Sequence, residues 1–169
     1  ANPWKQPGGW SHQFPIVFIA AGEIGGFEPI PGLNVGVDFG GWDYAVLMSP
    51  QGRDVARREI GEKAPGLTDR LLVPARSRTE GRSIIVSVPR AALPDGDPAR
   101  WAYQVVMQRS EGFPAGDALL MGVVNQEAGA HRFGGGRGDN CDPHVIDILA
   151  GGGQGEAAGA PAPFDALGG

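Results

Sequence analysis

The sequence predicts an all-β domain, an antiparallel β-sandwich or jelly roll, on three observations. Its 29 glycines and 15 prolines are spread along the chain and punctuate apolar runs, the texture of a domain with many turns. The runs between them number six to eight and have the length of strands. No segment carries the pattern of a long amphipathic helix, which leaves strand packed on strand as the means of burying the apolar residues.

Residues 1–13 are loop in composition, with Trp4 and Trp10 set among Pro3, Pro7, Gly8 and Gly9. The continuous apolar run 14–20 has the length of a buried strand. A glycine-rich connection over 21–41 holds Pro29 and Pro31, with a short strand expected at 33–38. The next run, 41–48, alternates, placing Trp42, Tyr44 and Val46 on one face and Asp43, Ala45 and Leu47 on the other. Beyond a turn at Pro50 and Gly52, residues 55–60 read as a charged edge strand. A polar and charged segment over 61–82 contains a strand at 71–73. Residues 83–88 are β-branched through their centre and end at Pro89, the clearest strand of all. One helical turn is expected at 90–94 and a carboxylate-bearing turn at 95–98. Residues 101–108 alternate, with Tyr103, Val105 and Met107 opposite Gln104, Val106 and Gln108. The run 118–124 fits strand or short helix, its bordering turns favouring strand, and 144–149 alternates again as a closing strand. The module therefore spans residues 1–150, and the Gly/Ala/Pro-rich residues 151–169 form a linker or tail.

With 14 basic and 19 acidic residues, a net charge of −5 and a pI near 5.1, the chain is not expected to bind nucleic acid or an anionic membrane. No apolar run reaches the roughly 20 residues of a membrane helix, so no membrane insertion is expected. The opening residues lack a basic and apolar leader, which leaves localisation open. Cys141 stands alone, excluding an internal disulfide, and no neighbouring thiol or helix start activates it.

The most specific local text is residues 132–149, a glycine and carboxylate loop running into the last strand. Asp139, Asn140 and Asp142 put three oxygen-bearing side chains on a tight turn, a donor set for a hard cation such as Ca²⁺. The same side chains cap turns by bonding their own backbone, without a metal. Asp147, flanked by Ile146 and Ile148, needs a partner if buried. The glycines 134–138 precede a strand and lack a Lys-Ser/Thr pair, so they are not a phosphate cradle. The tripeptide Arg137-Gly138-Asp139 is a chance match in so Gly-, Arg- and Asp-rich a chain. His12, His131 and His144 lie far apart, without metal-ligand spacing, and Asp43 with Asp147 is a poor candidate for a glycosidase pair. No catalytic residue is assigned. Trp4, Trp10 and Trp101 are the candidate sugar-stacking faces, since an indole packs on a pyranose while its N–H stays free to bond; the alternative for Trp4 and Trp10 is that each closes one end of the core.

Several pieces then match in order: Asn2-Pro3-Trp4, the strand at 16–20, Gly32-Leu33-Asn34, the residues 42–46, Val86-Ser87-Val88-Pro89, Trp101-Ala102-Tyr103, Arg132-Phe133-Gly134-Gly135-Gly136 and the residues 142–149. Together they resemble the C-terminal binding module of glucodextranase, a DOMON-like domain found on secreted amylolytic enzymes such as amylopullulanases. The resemblance spans residues 1 to about 150 and implies a β-sandwich without catalysis of its own, an extracellular or cell-surface accessory module that binds polysaccharide or attaches to a cell-envelope glycan. The family pattern starts before Asn2-Pro3-Trp4, so the chain resembles the later part of the module, trimmed or completed by another chain that supplies the missing strands. His131 stands where relatives carry an aromatic before Arg132-Phe133. Two rival functions follow: a structural subunit of a surface layer or filament completed by a neighbour's strands, and a haem-binding DOMON-type domain.

Overall fold

The structure is a computed structural model that describes residues 2–22, 26, 28–33, 41–110, 119–120, 122, 127 and 147–150, the last four by their backbone. Its central strand is β1 (Gln13–Ala20), in which Phe14, Ile16 and Phe18 are fully buried on one face and Val17 and Ile19 point to the other. On one side β1 pairs antiparallel with β2 (Tyr44–Leu47), from Ile16↔Leu47 to Ile19↔Tyr44. On the other it pairs antiparallel along its whole length with β6 (Ala102–Arg109), from Gln13↔Arg109 to Ala20↔Ala102. The short β3 (Leu71–Leu72) joins β2 in parallel, and β7 (Asp147–Ala150) joins β6 antiparallel, so the order is β3-β2-β1-β6-β7. A central strand rarely tolerates proline, because the ladder needs its N–H. Pro15 fits because it lies where the β2 ladder ends. Its carbonyl accepts from Met48 N at 3.0 Å on that side, so the missing donor falls there and not in the β1–β6 seam.

A second sheet is the hairpin of β4 (Arg76–Glu80) and β5 (Ser83–Ser87), paired from Arg76↔Ser87 to Glu80↔Ser83. Its two-residue turn places Gly81 at φ +56°, as the hairpin turns with glycine at their first central position require. The two faces of the five-stranded sheet are covered differently. Val17, Ile19, Val46 and Trp101 meet Val86 and Val88 of the hairpin side, which makes a two-layer β-sandwich. Phe14, Ile16, Phe18, Leu47 and Val106 meet Ala56 and Ile60 of the helix α1 (Arg53–Lys63). Among the described residues the fold is all-β with this one α-helix and three short 3₁₀ turns.

That helix corrects the edge strand expected at 55–60. Ala56, Ile60 and Ala64 recur every four residues and are all buried, the spacing of one helical face. Glu59 and Lys63, also four apart, pair at 2.6 Å, a charge contact outside hydrogen-bond geometry. With α1 between them, β2 and β3 form the crossover that parallel pairing demands. The run 118–124 is also not a strand where it is described: Leu119 and Leu120 are fully buried, Leu119 N donates to Pro31 O at 2.9 Å, and Leu120 adopts φ +60°. The expected helical turn at 90–94 is present as a 3₁₀ turn over Arg90–Ala92. The strand expected at 33–38, apart from Leu33, and the tail 151–169 lie outside the described residues.

Candidate functional site

The N-terminal loop is tied down before the sheet begins. Asn2 Oδ1 accepts from Gln6 N at 2.8 Å and from Ser11 Oγ at 2.5 Å, and Asn2 Nδ2 donates to Gln6 O at 2.9 Å. The loop then lies on the turn that starts α1: Gly8 N donates to Pro50 O at 3.0 Å, and Pro7 covers Gly52. Between this clamp, the first turns of α1 and the hairpin runs a groove of about 620 Å³, within the ~300–1,000 Å³ of small-ligand clefts. A second hollow of about 250 Å³ continues it along α1, the two sharing Arg53, Val73 and Ala75.

The groove has an aliphatic lining and a polar rim. Leu47, Val73 and Val86 are apolar, while Ser49, Ser77 and Ser87 supply hydroxyls. Four arginines line the joined hollows, Arg53, Arg57, Arg76 and Arg78, and no Asp or Glu is among the described residues lining them. Arg78 meets Glu80 at 3.4 Å, an exposed pair; Arg53, Arg57 and Arg76 meet no carboxylate among the described residues. Arg53 and Arg57 sit one turn apart on α1, and Arg76 and Arg78 share one face of β4. Such a lining suits a ligand with an apolar face and acceptor oxygens around it.

The structure treats the three tryptophans differently from the expectation of exposed stacking faces. Trp10 is 2% exposed; it borders the groove, but its ring is enclosed and its Nε1 donates to Gln13 O at 2.7 Å. Trp101 is 9% exposed, packs with Ile19 and Val46, and lies under the guanidinium of Arg90 at 5.7 Å. Both close the core and present no open indole face. Trp4 is half-buried, edge-on to the His12 ring at 4.5 Å. The large exposed aromatic among the described residues is instead Tyr103, whose hydroxyl donates to Pro98 O at 2.8 Å and whose pKa is raised by partial burial and by Asp97. Asp139, Asn140 and Asp142, the expected cation turn, lie outside the described residues, and no cluster of three metal-ligating side chains occurs among those that are described.

Asp43 does structural work: its Oδ2 accepts from Ala21 N at 2.7 Å. Next to it Arg70 stacks on Trp42 at 4.1 Å, donates from Nε to Asp43 O at 3.0 Å and from Nη2 to Trp42 O, and pairs through Nη1 with Glu28 at 2.6 Å. The register also separates Asp43 from Asp147. Asp43 N bonds Ile19 O, whereas Asp147 pairs with Met107 and through it with Pro15, three strands and four residues away. At ~3.3 Å per residue and ~4.8 Å per strand, the backbones are roughly 20 Å apart, too far for a glycosidase pair.

Sequence reasoning missed the groove because its walls come from four separated stretches, one of them running into the expected edge strand and another lying in the expected polar link. The signal was present as arginines at i, i+4 and at i, i+2, without apolar residues to mark them. Among the described residues no helix is long and apolar enough to cross a membrane. No curated protein matches the chain. A family model for the C-terminal, SLH-like binding module of glucodextranase matches residues 1–158, nearly the whole of the sequence and every element described above. The chain belongs to that family of binding modules.

Proposed function

We propose that the protein is a non-catalytic, extracellular or cell-surface module that binds a polysaccharide or cell-envelope glycan in the groove between α1 and the β4–β5 hairpin. Membership in a family of binding modules supports binding as the activity. The observation that carries the reading is the groove itself: about 620 Å³, aliphatic within, ringed by serine hydroxyls and guanidinium groups. Sugars offer that combination, an apolar ring face and a belt of acceptor oxygens, and a module that only positions its partner needs no nucleophile or base. Affinity electrophoresis through gels containing dextran, pullulan or cell-wall polysaccharide tests it, with a Val73→Trp variant to fill the groove. Retardation by at least one polymer, lost in Val73→Trp, is expected. Migration unaffected by every polymer refutes the proposal.

A further inference from the structure

We infer that the groove selects an anionic saccharide chain, one bearing carboxylate or phosphate groups, over a neutral one; this rests on the glycan-binding function proposed above. The chain as a whole is acidic, with 19 Asp and Glu against 14 Lys and Arg. Four of those fourteen basic residues, Arg53, Arg57, Arg76 and Arg78, nevertheless line the two adjoining hollows, Arg53 both of them, and the described lining contains no carboxylate. Mutual repulsion of four guanidinium groups is unfavourable unless a counter-charge arrives, and three of them have none among the described residues. Guanidinium forks match carboxylate and phosphate oxygens two at a time, which gives both affinity and orientation.

The spacing of the arginines sets the ligand's form. Arg53 and Arg57 lie about 5–6 Å apart on one helical face. Arg76 and Arg78 lie about 6.6–6.8 Å apart on one face of β4. Two such pairs, one on the helix and one on the strand, fit a chain with charges spread along it better than a single ion. Nucleic acid fits less well: a net charge of −5 repels so dense a polyanion, and single strands need exposed aromatic platforms, of which the described surface offers Tyr103, away from the groove lining. A flat membrane cannot enter a concave groove.

Titration calorimetry on the 169-residue chain decides the matter, with polygalacturonate as the carboxylated probe, a phosphomannan as the phosphorylated one, dextran as the neutral one, and a single-stranded oligonucleotide and phosphatidylserine vesicles as competing polyanions. At low salt one charged polysaccharide is expected to bind at least about tenfold more tightly than dextran, and to weaken about tenfold in 0.5 M NaCl. Each of the double variants R53Q/R57Q and R76Q/R78Q is expected to reduce that affinity about tenfold without lowering the melting temperature, because all four side chains are exposed and their loss relieves like-charge repulsion. Which charged polymer binds tells carboxylate from phosphate. Dextran binding as tightly as either charged polymer, with the arginine variants unaffected, overturns the inference and leaves glycan binding standing. Tighter binding to the oligonucleotide or the vesicles overturns it also, and binding to no polysaccharide at all removes both.

Discussion

Replacing Gly52 by alanine is expected to destabilise the protein by about 2–3 kcal/mol, and the structure divides that figure into two parts. Gly52 holds φ 89° and ψ 170°, a conformation open essentially to glycine alone, which costs another residue roughly 1–3 kcal/mol. A Cβ there would also lie 2.9 Å from Pro7 Cγ, so the clamp of the N-terminal loop would have to shift. For a chain of 169 residues the sum corresponds to a fall in melting temperature of roughly 5–10 °C. Urea and thermal unfolding followed by tryptophan fluorescence measure both. Pro7→Ala removes Cγ and leaves Pro7 Cβ, 3.6 Å away and in ordinary contact, as the nearest atom. In that background the Gly52→Ala penalty is expected to shrink by about 0.5–1 kcal/mol, leaving the dihedral part. A Gly52→Ala protein that melts within about 1 °C of its parent refutes the whole account. A penalty of equal size in both backgrounds refutes the contact with Pro7.

Other perturbations probe the core, the helix and one ion pair. Phe18→Ala, at a fully buried position edge-on to Trp42 at 5.4 Å, is expected to cost about 3–5 kcal/mol, read from the urea midpoint. Gln108 is fully buried and neither amide atom has a hydrogen-bond partner among the described residues; Gln108→Met is expected to raise stability by about 1–2 kcal/mol, and a loss instead would show that the amide is satisfied in solution. Ile60→Pro tests α1 directly, since it removes both the N–H and the buried side chain of a helical position: a loss above about 3 kcal/mol is expected, whereas an exposed edge strand would tolerate it. The pKa of Glu28 is lowered from 4.5 by a backbone hydrogen bond and by Arg70, so its contribution is fully present above that value and fades as pH falls through the lowered folded one. The stability difference between the parent and Glu28→Gln is therefore expected to be flat near neutral pH and to close below about 4.5; a difference that widens on acidification contradicts this assignment.

β1 was legible as a continuous apolar run, β5 through its β-branched centre, and β2 and β6 through period-two alternation. A strand with none of these signals was not. β4, Arg-Ser-Arg-Thr-Glu, is exposed at every residue and exists because β5 pairs with it across Gly81. Local propensity contained no record of that partner. α1 was misread because its charges, Arg57, Arg58 and Glu59, obscured the four-residue recurrence of Ala56 and Ile60. The site suffered most, since its walls meet only after folding. Tryptophans also announced chemistry that burial withdrew: Trp10 and Trp101 have the residue type of a sugar platform and the exposure of core residues.

The β1–β6 seam has a consequence for how the protein is made. Residues 21–101, 81 in all, separate the two strands, so during synthesis β1 emerges long before its principal partner. At about 5–20 residues per second, the ribosome needs roughly 4–16 s to bridge that interval. Throughout it, Phe14, Ile16, Phe18 and Ala20 present unpaired backbone groups on the side that β6 will occupy, within one of the most apolar stretches of the chain. Chains released before Arg109 would carry that bare edge permanently, making nascent or truncated forms the aggregation-prone species in a protein whose finished fold seals the same edge along its full length.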